Sequence, residues 1–195
     1  MLALAFHDQP LDRAVVGGSA GRRLRAERAG MSATLAAARG RADVRVARAD
    51  VAGEHSPRTD GIEGVLVALP PWVFPLPAPD VGAQLRTLFA QGLRTAGRWS
   101  EVFELLAEHH PPEPVWHLSL LGVAPERQGT GVGSALLRAW LADVDAAAQA
   151  AWLETAHPRN LPLYRRFGFE VAGELEALAV PIWLMSRPAR GAPGS

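Results

Sequence analysis

The sequence predicts an α/β fold with a mixed central sheet and helices on both faces. Three observations carry this. From Val115 the order is strand ("VWHLSLLGV"), glycine loop, helix ("GSALLRAWLADVDAA") and strand ("AAWLETA"), the order of a βαβ unit with parallel strands. Upstream, "ADVRVARADV" alternates Val44, Val46 and Ala49 with charged residues, and "IEGVLVALPP" is rich in β-branched residues, which together predict a hairpin. Downstream, "EVAGELEAL" and "PIWLMSRP" read as two closing strands.

Taken in chain order, residues 1–16 read as a short helix and turn. Gly17, Gly18 and Gly21 interrupt before a second helix over Arg22 to Ala38, whose "GRRLRAER" reads as a solvated face rather than a polyanion site. The hairpin follows, its strands joined by the polar turn "GEHSPRTDG". Asp80 is placed to cap a helix carrying Val81, Leu85, Leu88 and Phe89, and another helix, about Ser100 to His109, ends at "PPEP". His109 and His110 there read as a solvated helix end. They are adjacent and share no helix face, and no third ligand is near in sequence, so no metal site is expected. After the βαβ unit, "NLPLYRRFGF" reads as a short helix. The whole fits one domain over 1–188 with a flexible tail at 189–195.

Composition narrows the function. The 195 residues carry no net charge, so nothing favours nucleic acid or an anionic membrane. All 20 basic residues are arginine, which reflects coding bias. Cysteine is absent, which removes disulfides, thiolate metal sites and a cysteine nucleophile. "MLALAFHDQP" lacks the basic start of an export signal, and the apolar run "GVLVALPPWVFPLPAP" is broken by five prolines. A cytoplasmic protein without membrane partner, monomeric or homodimeric, is expected.

The stretch "VAPERQGTGVGSALL" decides the chemistry. A Walker A loop would need lysine after its last glycine, and Gly133 is followed by Ser134 and Ala135. A dinucleotide fingerprint finds Gly129, Gly131 and Ser134 in place, with Glu154 at the distance of a ribose-binding acid, but "APERQ" separates strand from glycine where that turn is tight. The third pattern is Q/R-x-x-G-x-G/A, met by Gln128, Gly131 and Gly133. It lets backbone N–H groups at a helix N-terminus converge on a pyrophosphate, which approaches closely because no Cβ intervenes.

On this pattern "LGVAPERQGTGVGSALL" resembles motif A of the GCN5-related N-acetyltransferases (GNATs), and "LETAHPRNLPLYRRFGFEVAGE" resembles their motif B. "GVAPERQGTGVGSALL", "LETAHPRNLPLYRRFGF" and "WLMSRP" are similar to antibiotic-modifying members of the puromycin N-acetyltransferase type, over about Val115 to Pro188. The resemblance implies a GNAT fold whose parallel strands splay at the cofactor cleft. It also implies an edge strand before the first helix, whereas here "LALAFHDQPLDR" already resembles the first helix and turn, which leaves two readings: a start assigned too far downstream, or a fold without that strand.

The same resemblance implies a set of site residues. Acetyl-CoA would be the co-substrate, its pyrophosphate held by Gln128, Gly129, Thr130, Gly131, Val132, Gly133 and Ser134. Backbone at Leu121, Gly122 and Val123 would bind the thioester carbonyl and pantetheine. Tyr164, the single tyrosine, stands where the family places its general acid. Asn160 contacts cofactor, caps the helix, or both. His117 stands where some members carry a glutamate base, and an imidazole can serve as base near neutral pH. Glu154 either orients substrate or water, or pairs with Arg159. The expected activity is acetyl transfer to a primary amine of a small molecule by direct attack in a ternary complex. The alternatives are an acyl-CoA-binding sensor without catalysis and, more remotely, a dinucleotide-binding protein.

Overall fold

The computed structural model describes residues 1–49 and 61–191. The turn expected over 53–61 therefore lies almost wholly outside the described residues, as does the end of the expected tail. The chain begins with three helices, α1 (Leu2–Phe6), α2 (Pro10–Val16) and α3 (Ala20–Ala38), followed by β1 (Asp43–Arg48) and β2 (Ile62–Leu69). Two helices, α4 (Val81–Gln91) and α5 (Leu93–Glu108), lead into β3 (Trp116–Val123), α6 (Val132–Ala146) and β4 (Ala151–Thr155). A short α7 (Leu161–Arg166) and the hairpin β5 (Glu170–Ala177) and β6 (Val180–Arg187) complete the described chain.

The six strands form one mixed sheet in the order β1-β2-β3-β4-β6-β5. Only β3 and β4 run parallel; every other neighbouring pair is antiparallel. One face is covered by α6, whose Leu137, Trp140 and Val144 pack on Leu66, Leu118, Leu153 and Met185. The other face is covered by the N-terminal helices and α5. Met31, Leu35 and Ala38 of α3 lie over Val65, Val67 and Leu120, while Val15 of α2 and Val102 of α5 lie over Ile182. Two glycines permit this closeness. A Cβ at Gly64 would stand 2.8 Å from Val132 of α6, and one at Gly122 would stand 2.5 Å from Leu2 of α1.

Alternation left open which face of β1 is inside, and three expectations are corrected. In β1 it is Val44 and Val46 that face solvent, at 46% and 43%, whereas Arg45 turns inward to ion-pair with Asp43 and with Asp143 of α6. Ala47 shares that inner face and packs against the core. Helix α5 starts at Leu93, well before Ser100. Gly92, with φ +84°, makes the break from α4, and Gly97 sits within the helix. Helix α4 is capped by Asp80, whose carboxylate accepts from Ala83 N at 2.9 Å, but Val81, Leu85 and Phe89 point outward because α4 meets α3 through small residues such as Ala83. The "GRRLRAER" segment is not a solvated face throughout. Arg23 and Glu27, one turn apart, are both buried.

Candidate active site

The parallel pairing of β3 and β4 ends at Leu118 and Leu153. Just there β3 carries a bulge: Leu118 lies opposite Ala68 and Leu120 opposite Val67, so Ser119 is the extra residue. The bulge rotates the strand, and Leu118 packs under α6 while Leu120 packs under α3. Beyond it, Leu120–Val123 stay paired to β2 but have no partner on the β4 side. A cleft of about 890 Å³ opens between the separated strands and passes through the sheet. One arm reaches Gln128, Gly129, Gly131, Gly133 and Ser134; the other reaches Asp12, Trp99 and Phe103.

The glycine loop forms the first arm. A turn of 3-10 helix at Pro125–Arg127 separates β3 from the first glycine, which is incompatible with the tight turn of a dinucleotide fingerprint. Gly129 and Gly131 adopt φ of +77° and +95°, which glycine takes without a Cβ penalty. Gly131 occupies the N-cap of α6, and no side chain caps the helix. The N–H groups of Val132, Gly133 and Ser134 therefore have no acceptor among the described residues and carry the positive end of the α6 dipole. A Cβ at Gly129 or Gly131 would meet nothing within 4 Å, so the approach to those groups is open. Gln128 and Thr130 turn their side chains back to the carbonyls of Val123 and Arg127 and brace the loop.

Tyr164 lies on α7, at the back of the splay. It is buried against Phe169, with ring centroids 6.0 Å apart, and it lines the cleft. Burial pushes its phenol well above the ordinary value, so the hydroxyl holds its proton. No donor or acceptor among the described residues engages that hydroxyl. Arg187 fixes the turn behind it, donating to Phe167 O at 2.9 Å while making a bidentate pair with Asp145 at 2.7 and 2.8 Å. Asn160 does not cap α7 with its side chain; its Nδ2 donates to Thr155 Oγ1 at 3.1 Å, tying the start of α7 to the end of β4.

Glu154 and His117 come together. His117 Nε2 stands 2.8 Å from Glu154 Oε2, and Trp152 Nε1 donates to Glu154 Oε1 at 2.6 Å. Glu154 thus pairs with His117 and not with Arg159. Glu154 lines the cleft, whereas His117 lies behind it, and the outer imidazole nitrogen of His117, Nδ1, is buried without a partner. The solvated helix end expected at His109 and His110 holds only for His109. His110 stacks on Phe74, centroids 4.1 Å apart, and stands edge to face with His117 at 5.4 Å. Burial holds its pKa below the usual imidazole value. Among the described residues no group of acids and histidines is arranged to hold a metal.

The second arm contains two residues that sequence reasoning passed over. Asp12 of α2 and Glu27 of α3, 6% and 3% exposed, are close enough for each carboxyl to bear on the other's proton, and Asp12 lines the cleft. Their signal in the sequence was ambiguous. Asp12 follows Pro10 where an acid ordinarily serves the helix dipole, and Glu27 stands among arginines that suggest a surface.

Comparison with known proteins agrees with this geometry. Residues 97–171, from α5 to the start of β5, match the family model of the acetyltransferase (GNAT) domain. Among solved structures, a histone acetyltransferase HPA2 and related acetyltransferase from Corynebacterium glutamicum is similar over 99% of this chain and 90% of its own, at 23% identity and a TM-score of 0.64. The protein smu.2055 from Streptococcus mutans is similar over 96% of this chain and 90% of its own, at 14% identity and a TM-score of 0.51. The separated parallel strands and the uncapped glycine loop both lie within the segment that matches the acetyltransferase (GNAT) domain model.

Proposed function

We propose that the protein is an acetyl-CoA-dependent N-acetyltransferase acting on a primary amine of a small molecule by direct attack in a ternary complex. The observation that carries this reading is the single cleft through the sheet. The glycine-loop N–H groups open into one arm of it, and Glu154 and Tyr164 line its walls. The residues present fit the co-substrate. The unpartnered amides of Val132, Gly133 and Ser134 suit a pyrophosphate, and Arg159 and Arg166 add positive charge to the same cleft. The free β3 edge over Leu121, Gly122 and Val123 suits the amide-bearing pantetheine arm, which would extend the sheet as a strand does. When bound, acetyl-CoA supplies the activated acetyl thioester.

The chain's own groups handle protons. Glu154 faces the cleft and takes the proton that the attacking amine must lose. His117 holds the Glu154 carboxylate from one side and Trp152 from the other, so His117 acts through Glu154 and not on the substrate. Tyr164, kept protonated by burial, is the proton source for the leaving sulfur. Backbone N–H on the unpaired β3 edge is positioned to polarise the thioester carbonyl. Catalytic groups lining the cleft favour this reading over a sensor that only binds the acyl thioester.

The test combines calorimetric titration of acetyl-CoA with a thiol-release assay across an amine panel that includes aminonucleosides. Saturable binding and amine-dependent thiol release are expected. Binding without release for every amine would move the reading to the sensor.

A further inference from the structure

The buried carboxyls of the second arm do nothing in the reaction described above. Neither Asp12 nor Glu27 is ion-paired among the described residues, and Glu27 Oε1 is buried without any donor. Arg23, one turn before Glu27 on α3, is engaged elsewhere: it donates to His7 O at 2.8 Å, to Gly18 O at 2.6 Å and to the Asp8 carboxylate. A buried acid without a donor is costly to keep, and replacing it by an apolar residue of similar size would relieve the fold. Here one member of the pair opens on the cleft, so a partner can reach it from there.

The surroundings specify that partner. On the Asp12 side the cleft is walled by Leu11, Trp99, Val102, Phe103 and Leu106, an apolar lining. An ammonium carries three donors and can seat one on the Asp12 carboxyl, with Glu27 behind it and its hydrocarbon body against those walls. Glu154, on β4, has its own partners in His117 and Trp152, and its charge does not bear on Asp12. The cleft therefore has two acidic positions at separate places.

We propose that Asp12 and Glu27 form a subsite for a second positive charge of the acceptor, which makes the substrate a compact diamine: one amine is acetylated beside Glu154, and the other, as ammonium, is held by the carboxyl pair. This rests on the N-acetyltransferase reading for the fate of the first amine. The subsite itself is tested by binding alone.

The experiment is calorimetric titration of the full chain with 1,3-bis(aminomethyl)benzene and with 3-methylbenzylamine, which differ only by the second ammonium. The diamine is expected to bind at least tenfold more tightly. In an Asp12→Asn, Glu27→Gln variant, which keeps side-chain volume, the preference is expected to fall below twofold while the monoamine binds as before. Equal affinity for the two amines in the wild type, no binding of either, or an undiminished preference in the folded variant would each overturn the subsite. Should the variant not fold, the wild-type ratio decides, and a value below threefold overturns it. Acetyl-CoA titrated in the same cell reports separately on the parent reading, because its arm is lined by other residues.

Discussion

The arm of the cleft beneath the glycine loop is made of backbone, whereas the arm beneath α2 and α5 is made of side chains, and the two respond differently to change. In the first, the groups proposed to work are the uncapped amides of α6 and the free edge of β3, so what the sequence must supply is absence: no Cβ at Gly129 and Gly131, no capping side chain. In the second, the groups proposed to work are Glu154, Asp12 and Glu27, the first partly and the others fully buried, each dependent on its neighbours for charge and direction. A backbone site holds its ligand whatever surface residue varies nearby. A side-chain site can change specificity through single substitutions, and it carries the cost of buried charge.

Tyr164 stands between the arms, and its replacement should have the largest effect. Tyr164→Phe removes one hydroxyl that has no partner within the chain and leaves the packing on Phe169 intact. We expect kcat to fall by roughly 10²-fold or more with acetyl-CoA affinity nearly unchanged. Single-turnover kinetics would show the loss in the chemical step. Full activity would remove the tyrosine from the mechanism and leave the leaving thiolate unassisted.

The backbone arm breaks next. Gly131→Val places a branched side chain at the mouth of the amide cradle and strains a residue at φ +95°. Acetyl-CoA affinity should fall at least tenfold, about 1.4 kcal/mol. Amine binding in the other arm should stay as it was. Equal losses for both ligands would mean that the arms are one coupled site.

His117 tests whether a residue behind the cleft acts through another. His117→Ala should lower the rate by roughly tenfold at neutral pH, less than a direct acid or base would cost. The rate should recover toward alkaline pH, where the amine has already lost its proton. His117→Gln, whose amide can still donate to Glu154, should restore much of the loss, and Glu154→Gln should not be rescued by it. A loss uniform across pH and indifferent to glutamine would mean that His117 only packs.

The backbone arm was legible in the sequence because it is local. Strand, glycines and helix follow one another within Trp116–Ala146, and the element order and the positions of Gly131, Asn160 and Tyr164 can be read from adjacent residues. The side-chain arm was not, because its groups meet only through tertiary packing. Glu154 lies 37 positions from His117, and nothing in "LETAHPRN" distinguishes pairing with His117 from pairing with Arg159. His110 read as a helix end because Phe74, the residue that draws it inward, comes from a different segment. The outward valines of β1 have the same origin: alternation showed two faces, and only the contacts of Arg45 and Ala47 toward α6 and the core show which is inside.

The smallest expected effect concerns stability, and it asks whether the side-chain arm costs the fold anything. Burial, reinforced by the neighbouring Glu27 charge, pushes the Asp12 carboxyl up to about 9 from an ordinary value of 3.8. The folded protein thus holds a proton that the unfolded chain releases near pH 4, and by linkage the native state loses stability as pH rises through the interval between those values. Asp12→Asn is neutral at every pH and keeps the shape. The variant should therefore flatten the decline in melting temperature between pH 5 and pH 9, and at pH 8 it should melt higher than wild type by roughly 2–4 °C for each 1 kcal/mol relieved. Melting curves for both proteins across that range decide the matter. A variant that melts lower at pH 8 would mean that the Asp12 carboxyl is ionised and satisfied in the fold, by a partner that also leaves no room for an ammonium.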